Sequence, residues 1–380
     1  MIRLAVDGRE FSDGTRTGIG RYLVQVLRAA SGAGWECLVY GTSQTRLPAP
    51  FPGVVLCLLE NRWTAYWDQV TLPRRLAEDQ VSVFLSPYYK GPLCSPCPTV
   101  ITIHDLLFIR YPGCRRPWFD MRMTLLAKLY AGRATAIITD SDYSKRAILS
   151  LLHVPAEKVR VIPIPPDPVF RPIASTDAAL LKYGLVNPYL LYVGNFKPHK
   201  NLPRLLHSYA ALERGLRARV PLVLAGMDEE QRPPLLRLAG TLGIADHVKF
   251  PGMIDDHDLP TLYSGAAALV LPSLVEGFGL PALEAMCCGT PVVASNRAAI
   301  PEVVGEAGIL FDPEDVPSMA RAMTQVLTDA QLRERLRQQG LARAAEFTPE
   351  RTTDQIVGLL KDLCLAGTTA GSRVSAVPRL

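Results

Sequence analysis

The sequence predicts an α/β protein built from two doubly wound, parallel-sheet domains, and three observations carry that prediction. At 380 residues the chain exceeds what one hydrophobic core usually holds. Short, unbroken apolar runs alternate with helix-patterned segments, as they do when parallel strands are buried on both faces. Five prolines between 163 and 172 (Pro163, Pro165, Pro166, Pro168 and Pro172) stiffen one stretch and separate two such series of alternation.

The first series opens with a strand over 2–7. A glycine-punctuated loop (Gly14, Gly18, Gly20) follows, and a helix starts at Tyr22. Strands are expected over Glu36–Tyr40 and Val54–Leu58. A helix is expected over Asn61–Leu76, with Trp63, Tyr66, Trp67 and Val70 at helical spacing as core. Val81–Leu85, Thr99–Ile103, Ala134–Thr139 and Val159–Pro163 read as further strands. Ser141, Asp142 and Ser144 supply cap chemistry for a helix over Lys145–Leu152. The second series places strands at Tyr189–Val193, Pro221–Ala225, His247–Phe250, 267–271, Pro291–Ser295 and Gly308–Phe311. Helices are expected over Leu235–Leu242, Asp258–Ala266, Pro317–Leu327, Ala330–Ala345 and 348–364. The small, polar residues 366–380 read as a disordered tail.

Composition narrows the function. Hydrophobic residues make up 48% and charged residues 20%, the balance of a globular protein. A net charge of +5, spread along the chain, gives no reason to expect a nucleic-acid partner. The opening segment meets Asp7 too early for a signal-peptide core, and no window approaches a membrane span. The eight cysteines show no framework spacing, and Cys94-Ser95-Pro96-Cys97 is a lone CxxC among prolines, so reduced thiols are expected.

The segment Pro272–Ala285 carries the strongest functional signal. It follows the buried-type strand, places Gly277 and Gly279 around Phe278, and continues through Leu280 and Pro281 into a helix. A helix opened by a glycine turn at a strand's C-terminal end offers free amides and a positive dipole end to an anion. Glu276 and Glu284 stand on either side, placed to bind hydroxyls. A phosphate between two polyols describes a nucleotide sugar. A second loop, Gly194–Asn201, ends a strand with Asn195, Lys197, His199 and Lys200, and a lysine there is a cation suited to a diphosphate. His104-Asp105 follows another strand end, where open α/β sheets place ligands; a hydrogen-bonded pair fixing the loop is the plainer reading.

The Glu276–Glu284 segment resembles the E-x7-E motif of family 4 retaining glycosyltransferases. Gly194–Asn201 is similar to that family's phosphate lysine frame, with Asn195 and His199 where common forms have arginine. His104-Asp105 and Thr17–Tyr22, with Gly18 and Gly20, are similar to two further family segments. The resemblance covers roughly residues 1–365 and implies a GT-B fold, two Rossmann-like domains facing across a cleft. It implies an acceptor-side domain over 1–170, a nucleotide-sugar domain over 171–347, and a helix over 348–365 crossing back to the first. It further implies that Glu276 binds the donor sugar and Glu284 the ribose. Lys200 and the amides of 277–280 would hold the diphosphate, with Lys197, His199 or Arg21 as second cation, and His104 or Asp105 would orient the acceptor or a sugar hydroxyl.

The implied reaction is retaining transfer of a hexose, mannose first, from GDP-mannose or a UDP-hexose to a glycan or lipid-linked glycan. No protein nucleophile and no cofactor are required. Asp140-Ser141-Asp142 and Asp256-His257-Asp258 each precede a helix and read as caps, so no essential metal is expected. The rivals are a phosphorylase or epimerase of the same fold, a non-catalytic sugar-nucleotide-binding protein, and glycogen- or sucrose-type synthesis. The expected place is the cytoplasm, peripherally at the inner face of the plasma membrane. Between Leu106 and Arg133 the chain sets Arg110, Arg115, Arg116, Arg122, Lys128 and Arg133 against Asp120, interleaved with Phe108, Ile109, Tyr111, Trp118 and Phe119, which suits an anionic bilayer. The alternative there is an ordinary helix whose Leu125, Leu126 and Leu129 face the core.

Overall fold

A computed structural model describes residues 2–13, 18–48, 50–60, 63–107 and 117–371. The chain divides into one unit of Met1–Pro165 with Pro349–Leu380 and a second of Pro166–Thr348, the division falling inside the proline-rich stretch.

The first unit holds a seven-stranded parallel sheet. Its strands are β1 (Arg3–Asp7), β2 (Glu36–Gly41), β3 (Val54–Leu58), β4 (Val83–Ser86), β5 (Thr99–Thr102), β6 (Ala136–Thr139) and β7 (Val159–Val161), in the order β3-β2-β1-β4-β5-β6-β7. β1, β4, β5 and β6 are almost wholly buried, as continuous apolar runs between two helical layers must be. The second unit has six parallel strands: β8 (Tyr189–Val193), β9 (Leu222–Ala225), β10 (Val248–Gly252), β11 (Ala266–Leu271), β12 (Val292–Ser295) and β13 (Gly308–Phe311), in the order β10-β9-β8-β11-β12-β13. In both sheets the order reverses beside the first strand, between β1 and β4 and between β8 and β11. Such switch points leave a crevice at the strands' C-terminal ends. The loops after β8 and β11 are the two that carry the second unit's predicted site residues.

Several local expectations need correction. Gly18 and Gly20 lie in the first turn of a helix, Gly18–Gly32, because Tyr22, Leu23, Val26 and Leu27 bury one of its faces and carry the pattern back past the glycines. The side chain of Arg21 lies outside the described residues. The helix expected over 61–76 is Thr64–Tyr66, one π-helical turn over Trp67–Thr71, and Leu72–Glu78. The wider turn breaks the 3.6-residue phase, so Trp67 is buried while Trp63 and Val70 are exposed. The stripe through 125–129 is not core. Helix Pro117–Arg133 packs through Ala127 and Ala131 and turns Met121, Leu125 and Leu129 outward, 71%, 59% and 45% exposed. Small residues let this helix lie close to the sheet; Leu125 and Leu129 fall on the far side, and Leu126 is half-buried. Residues 108–116 and the side chains of 117–120, with most of the predicted aromatic and basic segment, lie outside the described residues.

The sequence reading also lacks a helix at Leu202–Ala210, whose Leu202, Leu205, Leu206 and Tyr209 enter the second unit's core. Pro203, Arg204 and His207 obscure its apolar period, although Pro is at home in a first turn. The last helix runs Pro349–Gly371, so its end lies past the 366 boundary. Extending a formed helix is far easier than starting one, which allows weak helix formers to follow on. Among the described residues seven cysteines are free, Cys94 and Cys97 included. No helix among them is long and apolar enough to cross a membrane.

Candidate active site

In the second unit the site grows from two strand ends. β8 runs into Gly194 at φ +148°, and β9 is followed by Gly226, φ +141°, where a Cβ would stand 1.9 Å from the Gly194 carbonyl oxygen. Only glycine permits that approach, which fixes the path of the loop bearing Lys200. Asn201, itself left-handed at φ +61°, is buried and donates to the carbonyls of Pro272 and Pro313 at 3.1 and 2.7 Å. The Leu274 amide donates to the His199 carbonyl at 2.8 Å, so the loops after β8 and β11 are tied twice.

The tie brings two predicted residues together. Lys200 Nζ lies 2.6 Å from Glu276 Oε1, and the Ser273 hydroxyl donates to the same oxygen at 2.7 Å. Glu276 is 7% exposed and Glu284 is 8% exposed. Both bonds fall on Oε1, leaving Oε2 without a partner among the described residues. A buried carboxylate demands such compensation. Gly279, at φ +110°, opens helix Leu280–Cys287, and Tyr263 donates to Glu284 Oε2 at 2.8 Å from the preceding helix. Burial pushes the Tyr192 hydroxyl well above its ordinary pKa, with the Glu276 charge adding to the effect; that hydroxyl donates to the Asn195 carbonyl at 2.5 Å.

The other candidates divide. Asn195 and Lys197 are exposed on the loop, His199 is half-buried, and Gly277 and Leu280 flank the turn. Phe278 is buried edge-to-face against Phe347, with ring centroids 6.0 Å apart, and so holds the turn down. Sequence reasoning placed Asn201 at the end of the second loop without assigning its side chain a role, and it assigned none to Gly226 or Ser273.

In the first unit His104 does not pair with its neighbour. Its Nδ1 lies 2.7 Å from Asp140 Oδ2, while Asp105 Oδ1 accepts the Leu107 amide at 3.0 Å. Asp140 is therefore no cap; Ser141 caps helix Asp142–Leu152, accepting from the Ser144 amide. Burial works to lower the His104 pKa, but the Asp140 carboxylate, with Asp105 and Glu10 adding to it, outweighs burial and raises it above the ordinary value. In the other acidic triplet, Asp258 makes no side-chain cap either. Asp255, His257 and Asp258 could come together on a metal, but the Lys182 ammonium already bonds Asp255 at 2.6 Å and Asp258 at 2.7 Å.

The two doubly wound parallel sheets, of seven and six strands, are those of the GT-B class. Residues 16–169 match the family model "Glycosyltransferase Family 4" and residues 184–343 match "Glycosyl transferases group 1". The chain belongs to glycosyltransferase family 4. It is 38% identical over 231 residues to O-antigen chain mannosyltransferase B of Escherichia coli, covering 60% of this chain and 61% of that one. It is 34% identical over 264 residues to the serotype-specific mannosyltransferase WbdA of the same organism, covering 67% of this chain and 32% of that one. It is 30% identical to alpha-D-kanosaminyltransferase of Streptomyces kanamyceticus, covering 70% and 71%. The chain thus spans less than two thirds of the first two relatives. Among solved structures, sucrose-phosphate synthase from Thermosynechococcus elongatus superposes with a TM-score of 0.78 at 22% identity, over 96% of this chain and 100% of that one. Anabaena HepE in complex with UDP-glucose gives 0.73 at 20%, over 95% and 100%.

Proposed function

We propose that the protein transfers a hexose, mannose first, from a nucleoside diphosphate sugar to a glycan or lipid-linked glycan, with retention at the anomeric carbon. The carrying observation is the pair of buried carboxylates, Glu276 and Glu284, on either side of the Gly279 turn with Lys200 against the first. Glu284, held by Tyr263, would take the ribose hydroxyls. Glu276 would offer Oε2 to the sugar, and Lys200 with the amides of the turn would take up the charge that grows on the diphosphate as the glycosidic bond breaks. The acceptor oxygen would attack from the face the diphosphate leaves. No residue is cast as nucleophile. The second unit would hold the donor and the first the acceptor.

GDP-mannose is the first donor to try, supported by the mannosyltransferase relatives, and UDP-hexoses follow. No metal is assigned a role, since Asp140 serves His104 and Lys182 bridges Asp255 and Asp258. We also place the enzyme peripherally on the cytoplasmic face of an anionic membrane. Met121, Leu125 and Leu129 form an exposed apolar line on one helix, and Arg122, Lys128 and Arg133 stand beside it. The decisive experiment incubates the full chain with a panel of nucleotide sugars and membrane extract, followed by mass spectrometry and anomeric assignment of the product. A product one α-linked hexose heavier from an α-linked donor supports the reading. Sugar release only with orthophosphate, isomerised donor without acceptor, or binding without turnover would replace it with phosphorylase, epimerase or binding protein.

A further inference from the structure

The edges of the two sheets are unequally protected. β3, β7, β10 and β13 stand outermost in the strand orders. β7 is three residues long and carries Arg160, β10 carries Lys249 and Pro251, and no side chain of β13 is exposed. Short length, charge and proline are the usual devices that keep an open edge from pairing. β3 has none of them. Its sequence, Val54-Val55-Leu56-Cys57-Leu58, sits within an uncharged run from Leu47 to Leu59, and Val55 and Leu58 are 50% and 54% exposed. The Cys37 amide donates to the Gly53 carbonyl at 2.8 Å and the Leu59 amide donates to the Gly41 carbonyl at 2.8 Å, so Gly53 and Leu59 both face β2. Backbone groups alternate in direction along a strand, and the register with β2 is unbroken from Val54 to Leu58, which turns Val54, Leu56 and Leu58 away from the sheet. The Phe51 carbonyl takes the Val54 amide at 3.3 Å. The amides and carbonyls of Leu56 and Leu58 have no hydrogen-bond partner among the described residues.

We propose that β3 is a self-association edge: two copies of the chain pair antiparallel through β3 about a two-fold axis at Cys57, joining their seven-stranded sheets into one continuous sheet. The free groups choose the register. With Leu56 opposite the second copy's Leu58, the amide-to-carbonyl bonds of that pair and of its symmetry mate use every free backbone group of Leu56 and Leu58. Sliding the strands so that Leu56 meets its own twin would instead call on the Val54 amide, which is already engaged. In the favoured register Val55 meets Leu59 and Cys57 meets its twin, so the central cross-strand pairs are all apolar. A second copy fits this edge because the edge complements itself: it carries no charge for an unlike partner to answer, and the axis satisfies both free residues at once. A two-fold contact also closes on itself, so assembly stops at the dimer.

The test is sedimentation velocity on the full chain, under reducing conditions and over a wide range of concentrations. A saturable monomer–dimer equilibrium is expected, shifting with concentration because a strand edge is a small interface. Val55→Lys with Leu58→Lys changes two exposed side chains, so the melt should be unchanged. The dimer's Kd should rise about 10²-fold or more, since lysine on an edge strand opposes pairing. Leu56→Pro removes an outward amide and no bond to β2, and should weaken the dimer as well. Mild oxidation of the wild-type dimer should link Cys57 to its twin, read by peptide mass spectrometry, because facing Cα atoms in such a pair lie about 4.5 Å apart, within disulfide reach. A dimer indifferent to both variants, or assembly that grows past two copies, would overturn the proposal. So would a chain that stays monomeric at every concentration, which would leave the edge to the strand of another protein. A dimer weakened by the lysines yet never linked through Cys57 would overturn the register.

Discussion

Glu276 Oε1 receives two donors, the ammonium of Lys200 and the hydroxyl of Ser273, and the proposed sugar contact falls to the other oxygen. Glu276→Ala should lower kcat/KM about 10²-fold or more with every active donor, because contacts made to a reacting sugar are worth most at the transition state. Near-normal turnover would remove Glu276 from the site. Lys200→Ala should be as damaging and also lower the melting temperature, since a buried carboxylate loses its counter-charge. Adding Glu276→Gln to that variant should restore the melt and not the activity, which calorimetry beside the kinetic assay resolves. Lys200→Arg should recover only part, its fork being the wrong shape for a point contact. Glu276, Glu284 and Lys200 were legible in the sequence because each sits in a short local motif. Asp140 was not, because its partner is 36 residues away and an aspartate before a serine resembles an ordinary cap. Ser273 was hidden for a related reason, as one hydroxyl in a loop says nothing of which oxygen it will meet.

At the scale of elements, the close pass between β8 and β9 depends on one missing side chain. Gly226→Ala would put a methyl 1.9 Å from a backbone oxygen that cannot turn away. It should cost about 2 kcal/mol or more in denaturant unfolding and displace the Lys200 loop, raising the donor KM. Unchanged stability would mean the two loops are freer than this geometry allows. The strands were readable because buried parallel strands are written as unbroken apolar runs. Helices whose faces follow tertiary demand were not. Leu202–Ala210 hides behind Pro203 and two basic residues, and the π-helical turn at Trp67–Thr71 shifts the phase on which the aromatic stripe relied. Pro117–Arg133 is the instructive case, since its leucines suggest a core face and its alanines provide one. The outward leucines, with Arg122 and Lys128, should carry the chain onto anionic vesicles in co-sedimentation at low salt and release it at high salt, each basic group contributing ~1 kcal/mol. Arg122→Glu with Lys128→Glu should weaken that binding. Equal absence of binding to anionic and neutral vesicles would rule out membrane association through this face.

For the molecule as a whole, the acidic triplets bear on metal dependence. With Asp140 committed to His104, and Asp255 and Asp258 to Lys182, turnover should survive EDTA and dialysis. Activity that vanishes on chelation and returns with Mn²⁺ or Mg²⁺ would overturn this.

The helix Pro349–Gly371 belongs to the unit that contains the N-terminal half of the chain. It lies along Gly18–Gly32, buries Ile356 and Leu360, and ties the Thr352 hydroxyl to the Pro163 carbonyl at 2.9 Å. A ribosome therefore makes the first unit in two instalments. The uninterrupted second unit, 166–348, leaves the exit tunnel complete and free to fold, while the first waits with an apolar helix face uncovered until its last segment arrives. During that interval the nascent chain presents the surface a chaperone recognises, and release should coincide with the emergence of residues near 360.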